Sequence, residues 1–267
     1  MLPSFALERP DRLVEALDLL GGSYVPYCGG TELLMAMKLG VLSPPGLVDL
    51  KRLDELRAVR YEGGRLLVGA AATHQAVASH EEVLRRLPVL AAVERRVGNA
   101  RVRAQGSIGG NLCFAEPRSD VTTLLAALGA RVVLASARGR REVPMSEFLT
   151  GAYETLREPD ELLVEVVVEG AERQWGVHLK HHYLERPTVS VALVADERDG
   201  RFRLAVGAVG ETPYLVEASA PGQIDPDAVA AGVDPVEDIG GSVAYKRHLT
   251  AVIVRQVLRA VPERGAA

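Results

Sequence analysis

Gly106-Ser107-Ile108-Gly109-Gly110-Asn111, running on through Glu116-Pro117-Arg118-Ser119-Asp120 into the apolar stretch Val121 to Leu128, is the most unusual segment of the chain. Glycine removes the side-chain barrier to close approach, and successive backbone amides in a tight turn form a concave, anion-favouring surface. A second loop of the same kind stands earlier, Cys28-Gly29-Gly30-Thr31, with Glu32 to Leu39 reading as the helix that follows. A helix start adds partial positive charge, so two such loops suit two linked phosphates. Neither loop fits the commoner nucleotide motifs: no Lys-Ser or Lys-Thr follows the last glycine, and the third glycine of the dinucleotide fingerprint is missing.

Working outward, short elements alternate with turn signals. A helix is expected from Pro10 to Leu20, where Leu13, Ala16, Leu17 and Leu20 share a face and Gly21-Gly22 supplies the stop. Strands are expected at Tyr24 to Tyr27 and, after the turn Ser43-Pro44-Pro45-Gly46, at Leu47 to Leu50. From Val59 two strands flank Gly63-Gly64, Thr73 can cap a helical stretch that leads into Glu81 through Val97, and strands follow at Arg131 to Ala135 and Leu162 to Val168. Past Gly170 come strands near Val177 to His182, Val189 to Ala195 and Phe202 to Val209, a turn at Asp199-Gly200, and a long helix from Tyr245 to Ala260. The reading is an α+β chain in three parts, 1–56, 57–170 and 171–267.

Composition bounds the function. With 267 residues, 48% hydrophobic and 25% charged, the chain is long enough for more than one core. A net charge of -4 without a concentrated Lys/Arg block lacks the footprint of a nucleic-acid binder. No signal-peptide pattern or membrane-length apolar run is evident, so the cytoplasm is the expected compartment. Two cysteines, Cys28 and Cys113, make neither a disulfide framework nor the roughly four thiolates that an iron-sulfur cluster takes.

The segment Cys28-Gly29-Gly30-Thr31-Glu32-Leu33-Leu34 resembles the first FAD-diphosphate loop of the xanthine dehydrogenase and carbon monoxide dehydrogenase flavoprotein family, and Ser107-Ile108-Gly109-Gly110-Asn111 with Pro117 and Asp120 resembles its second. The likeness extends to Pro3-Ser4-Phe5, Arg9-Pro10, Leu47-Val48-Asp49-Leu50, Gly151-Ala152-Tyr153, Glu158 to Leu163 and Tyr245-Lys246-Arg247. It implies the two-part FAD-binding fold of the vanillyl-alcohol oxidase type, followed by a small α+β C-terminal domain. It also implies bound FAD, with molybdopterin and [2Fe-2S] clusters on a large and a small partner subunit in a dimer of heterotrimers. Electrons would arrive from the [2Fe-2S] subunit and leave through FAD to NAD, a quinone or dioxygen. Two rival readings remain: a self-contained flavin oxidoreductase of the same fold, for which no proton donor is evident, and a non-catalytic nucleotide-binding module.

By the same resemblance Cys28, Gly29, Gly30, Thr31, Glu32, Ser107, Ile108, Gly109, Gly110 and Asn111 are the cofactor-binding loops. Asp120, thirteen positions past Ser107, matches an acid near the adenosine portion of FAD, while on its own it equally reads as the cap of the Val121 helix. Lys180 matches a family lysine beside the flavin, where a positive charge favours the reduced ring; on its own it reads as a solvated strand end. Leu184-Glu185-Arg186-Pro187-Thr188 departs from the family pattern. His178, His181 and His182 lack the spacing of a metal site, and Cys113 reads either as a cofactor neighbour or as a small buried thiol. No acid-base pair is expected, because the flavin carries the chemistry.

Overall fold

The computed structural model describes residues 2–20, 22–183 and 186–261. Gly21, Leu184 and Glu185, named above, lie outside the described residues, and of His182 and Tyr183 only the backbone is described. The chain is α+β, built on three principal sheets.

The first sheet is parallel. Gly46–Asp49 lies between Ala6–Glu8 and Tyr24–Tyr27, with the helix Leu13–Leu20 as the crossover. Gly46 pairs with Tyr24, and a Cβ there would meet the tyrosine ring at 2.5 Å, so glycine is what lets the ring lie across the strand.

The second sheet is antiparallel, in the order Val59–Glu62, Arg65–Gly69, Leu162–Glu169, Arg131–Ser136, Gly139–Pro144. Its central strand is buried on both faces. Leu162, Val164 and Val167 face a core shared with Leu17, Leu20 and Leu53, whereas Leu163, Val166 and Val168 face the larger core with Ile108, Leu124 and Phe148. That change of parity is produced by a bulge between Leu163 and Glu165, which moves the pleat by one residue.

The third sheet is an antiparallel meander of Gln174–Tyr183, Arg186–Asp196, Arg201–Gly207 and Tyr214–Ala218. Its alternation sends Val191, Leu193, Leu204 and Val206 to one face, packed with Ile253, Val254 and Val257 of the helix Val243–Arg259. Ala192, Val194 and Ala205 join the larger core on the other face, which carries the helix Asp120–Ala127. At that contact a Cβ on Gly207 would stand 1.9 Å from Thr123 Oγ1, so the helix seats only over a glycine. No helix among the described residues is long and apolar enough to cross a membrane.

Several elements differ from the sequence-based expectation. The stretch expected as one helix from Glu81 to Val97 is two, Glu81–Arg86 and Pro88–Glu94, because Leu87 before the proline takes an extended φ of -144°. The first helix begins at Leu13, not Pro10. The strand from Phe202 stops at Gly207 because Ala208 adopts φ +67° and donates its amide to Pro117 O. Strands at Gly139–Pro144 and Tyr214–Ala218, and helices at Ala100–Gln105 and Pro226–Gly232, were not foreseen.

Candidate functional site

A cavity of about 440 Å³ runs between the two glycine loops and the edge of the third sheet. That volume is typical of a small-molecule or cofactor site. Of the residues singled out from the sequence, Cys28, Gly29, Gly30, Thr31, Glu32, Ser107, Gly109, Gly110, Asn111, Asp120 and Lys180 all line it.

Ile108 is the exception and a correction. Its side chain is fully buried in the larger core and its amide donates to Ala72 O at 3.0 Å. The rest of the second loop is likewise not the open nest expected. Gly109 donates to Ala70 O at 2.8 Å, Gly110 to Ser107 Oγ at 3.2 Å and Asn111 to Ser107 O at 2.9 Å. Gly109 is there for packing, since a Cβ would fall 2.6 Å from Ala70 Cβ. Gly110 instead is exposed at the cavity wall, where a Cβ would meet nothing but Ser107 Oγ, at 3.0 Å.

The first loop does hold free donors. Gly30 turns the chain at φ +67°, and among the described residues none accepts a hydrogen bond from the amides of Gly30, Thr31 or Glu32. The helices after the loops span Leu33–Lys38 and Ile108–Phe114, too short for a large dipole, so the unpaired amides are what this wall offers an anion. Asn111 adds a side-chain donor: its Oδ1 accepts from Ser119 Oγ at 2.7 Å, which leaves Nδ2 for the cavity.

Ser119, not Asp120, caps the helix Asp120–Ala127, accepting from Thr122 N. Asp120 is thereby available for the third sheet. It is buried, takes Ser190 Oγ–H at 2.7 Å on Oδ1, and meets Lys180 Nζ at 2.5 Å on Oδ2. Burial alone would raise this carboxyl, but hydrogen bonding and charge from His178 and Lys180 outweigh it and hold the group well below the usual range. Arg96 Nη2 lies 2.8 Å from His178 Nδ1, and His178 Nε2 lies 2.9 Å from Ser190 Oγ. The chain Arg96, His178, Ser190, Asp120, Lys180 is therefore a continuous run of hydrogen bonds, buried from His178 to Asp120 and open to solvent at Arg96. In it His178 takes part in hydrogen bonding, and Lys180 is an ion-paired residue of the cavity wall rather than a solvated strand end.

The rim is closed by Arg186, which donates to Glu32 Oε1 at 3.0 Å and pairs with Glu116 Oε2, joining the segments that follow the two loops. Glu116 also accepts from Arg118 at 3.0 Å and Tyr153 at 2.9 Å, and these partners with Arg186 outweigh its burial and lower its pKa. Tyr153 and Ala115 are both left-handed, at φ +62° and +51°, and are tied by an amide hydrogen bond of 2.9 Å. Such non-glycine conformations each cost about 1 kcal/mol or more and are tolerated where the surroundings enforce them. Both cysteines line the cavity as protonated thiols: burial raises Cys28 and pushes Cys113 up to about 11.

Glu116 and Arg186 were quoted from the sequence without a role, and His178 was weighed as a metal ligand. Arg96 and Ser190 gave no signal, since only sheet pairing and helix packing bring them to Asp120.

The model of the family described as "FAD binding domain in molybdopterin dehydrogenase" matches residues 3–168. The carbon monoxide dehydrogenase medium chain of Hydrogenophaga pseudoflava is 32% identical, with 99% of each chain covered. The glyceraldehyde dehydrogenase medium chain of Sulfolobus acidocaldarius is 29% identical over 97% of this chain and 99% of its own. A solved structure of the Hydrogenophaga pseudoflava carbon monoxide dehydrogenase superposes with a TM-score of 0.89 at 30% identity, covering 100% of both chains.

Proposed function

Because the chain belongs to the FAD-binding domain family of molybdopterin dehydrogenases, we propose that this oxidoreductase subunit takes electrons from a [2Fe-2S] partner and passes them to NAD, a quinone or dioxygen. FAD, when bound, supplies that redox chemistry. The protein's part is to bind it, orient it and exclude water.

The observation that carries the reading is a single cavity walled by both glycine loops, with unpaired amides at Gly30, Thr31 and Glu32 on one side and the open face of Gly110 on the other. These residues fit a diphosphate, and Asn111 Nδ2 adds a donor. Asp120 and Lys180 act together at one point of the wall. The adenosine and isoalloxazine ends of an extended FAD are separated by the whole ribityl-diphosphate-ribose chain, so an ion pair of 2.5 Å does not serve both ends. Nor does Lys180 bring an uncompensated positive charge to the flavin, because Asp120 neutralises it.

The units 1–56, 57–170 and 171–267 are taken as two FAD-binding subdomains and a C-terminal domain. The subunit is placed in a cytoplasmic dimer of heterotrimers with a large molybdopterin subunit and a small [2Fe-2S] subunit. The test is the purified chain: an oxidised-flavin spectrum, release of FAD and not FMN on denaturation, and reoxidation of the reduced flavin by an artificial acceptor. No physiological reducing substrate should turn over until both partners are added. Full turnover by this chain alone would favour the self-contained oxidoreductase, and a chain that takes up no flavin would favour the nucleotide-binding module.

A further inference from the structure

His74 begins the helix His74–Ser79 directly beneath the second glycine loop. Its amide donates to Gly106 O at 3.0 Å, and Thr73 pairs with Ser107 across a single bridge. The imidazole is 3% exposed and lines the cavity. Its Nδ1 lies 2.5 Å from Oε2 of Glu94, a fully buried carboxyl at the end of the helix Pro88–Glu94. The other oxygen, Glu94 Oε1, has no hydrogen-bond partner among the described residues, and neither has His74 Nε2. A fully buried carboxyl group needs a polar partner, and the imidazole is the group in contact with it.

Gly106 supplies an independent observation. Its φ of -62° and ψ of 140° are open to any residue, so its dihedral angles give no reason for glycine. A Cβ there, however, would stand 2.9 Å from Val102 O, 3.1 Å from His74 Cδ2 and 3.4 Å from Nε2, so glycine lets the loop close on both the preceding helix and the edge of the ring. Gly29 of the first loop packs on the same stretch of backbone, since its own Cβ would fall 2.7 Å from Gly106 Cα. Gly106 thus borders the unpartnered nitrogen of a buried ring that faces the cavity, and the first loop packs against Gly106.

We propose that His74, oriented by Glu94, is a further cofactor-binding residue whose imidazolium Nε2–H donates to a diphosphate oxygen between the two glycine loops. The inference rests on the FAD reading above. Glu94 is its positioning residue: accepting from Nδ1, it fixes the ring plane and turns Nε2 to the cavity.

The experiment uses the full chain, stripped of flavin and titrated with FAD, with ¹⁵N-labelled histidine and ³¹P detection of the bound diphosphate. FAD should move the His74 Nε2 resonance. H74Q should bind FAD about ten- to a hundredfold more weakly, as expected for loss of a hydrogen bond to a charged group, with altered ³¹P shifts. E94Q should weaken binding less and change the His74 Nδ1 resonance. Should H74Q fail to fold, the wild-type Nε2 resonance decides: a signal unmoved by saturating FAD overturns the proposal, as does an H74Q variant that binds FAD with wild-type affinity and ³¹P shifts. A wild-type chain that binds no FAD would overturn the functional reading itself, a different result from these.

Discussion

Lys180 Nζ meets Asp120 Oδ2 at 2.5 Å, so the first residue of a helix in the second part of the chain is ion-paired to a strand of the third sheet. Both side chains are largely buried, at 13% and 8% exposure. Removing one partner leaves the other charge without compensation, which typically costs about 3 kcal/mol or more. Asp120→Ala should therefore lower stability by about 3 kcal/mol at pH 7 in urea titration. The double variant Asp120→Asn with Lys180→Met should recover much of the loss. The carboxyl is depressed below its unfolded value of about 3.9, so its contribution is present above that pH and fades as acid protonates the folded state. The difference between wild type and Asp120→Ala should accordingly shrink below about pH 4. A double variant no more stable than Asp120→Ala would show that the lone lysine is not what costs the energy.

Asp196 gives a second acid-sensitive site, away from the cavity. Its carboxylate is fully buried and bound by Arg198 at 2.5 Å and Arg203 at 3.0 Å. Burial raises its pKa, but the two arginines and the Arg198 amide bring it down to about 2. The stabilisation is complete above the unfolded value of about 3.9 and is lost as pH falls toward 2. Allowing for solvent screening at Arg198, Asp196→Asn should cost about 1 to 2 kcal/mol at neutral pH and almost nothing near pH 2, measured by chemical denaturation across that range.

Gly109 and Gly110 should part company when substituted. Gly109→Ala drives a methyl into Ala70 and should destabilise the fold by about 1 to 3 kcal/mol, the usual cost of overpacking. Gly110→Val projects into the cavity, so thermal stability of the flavin-free chain should change little while flavin content falls. Equal flavin content in Gly110→Val and wild type would remove the diphosphate from that wall.

Arg186 joins Glu32 to Glu116 across the rim. Arg186→Gln should release FAD roughly fivefold faster, since partly exposed ion pairs are worth only about 1 kcal/mol. Its release rate should also depend less on salt than the wild type's. Stopped-flow recovery of flavin fluorescence reads both, and an unchanged off-rate would mean that the clasp does not gate exit.

What was legible in the sequence tracks what is local in cause. The strand Tyr24–Tyr27 and the hairpin around Gly63-Gly64 follow from apolar runs and turn residues next to one another. The helix Ala100–Gln105 was missed because it buries no side chain, and the strand Gly139–Pro144 because it is an exposed edge rich in arginine and glutamate. The glycine loops were legible as glycine, but not the difference between them. Whether an amide is free depends on distant acceptors such as Ala70 O and Ala72 O, which no local pattern reveals. Asp120 was found by position, while its partners Lys180, Ser190 and His178 were joined to it only by the register of the third sheet.

The seat of the Asp120–Ala127 helix on Gly207 bears on how such a chain can be recombined. Thr123 needs that glycine, Ala208 is anchored on Pro117, and the Asp120 carboxylate needs Lys180 and Ser190, all across the same joint. A chimera that grafts a relative's C-terminal segment after Gly170 inherits one half of each match and must find the other half in its host. Crossovers there should be tolerated between parents that agree at 120, 123, 180, 190 and 207, and should fail between parents that do not, whatever their overall identity. The joint is a lock and key carried on one gene, and its two halves have to be inherited together.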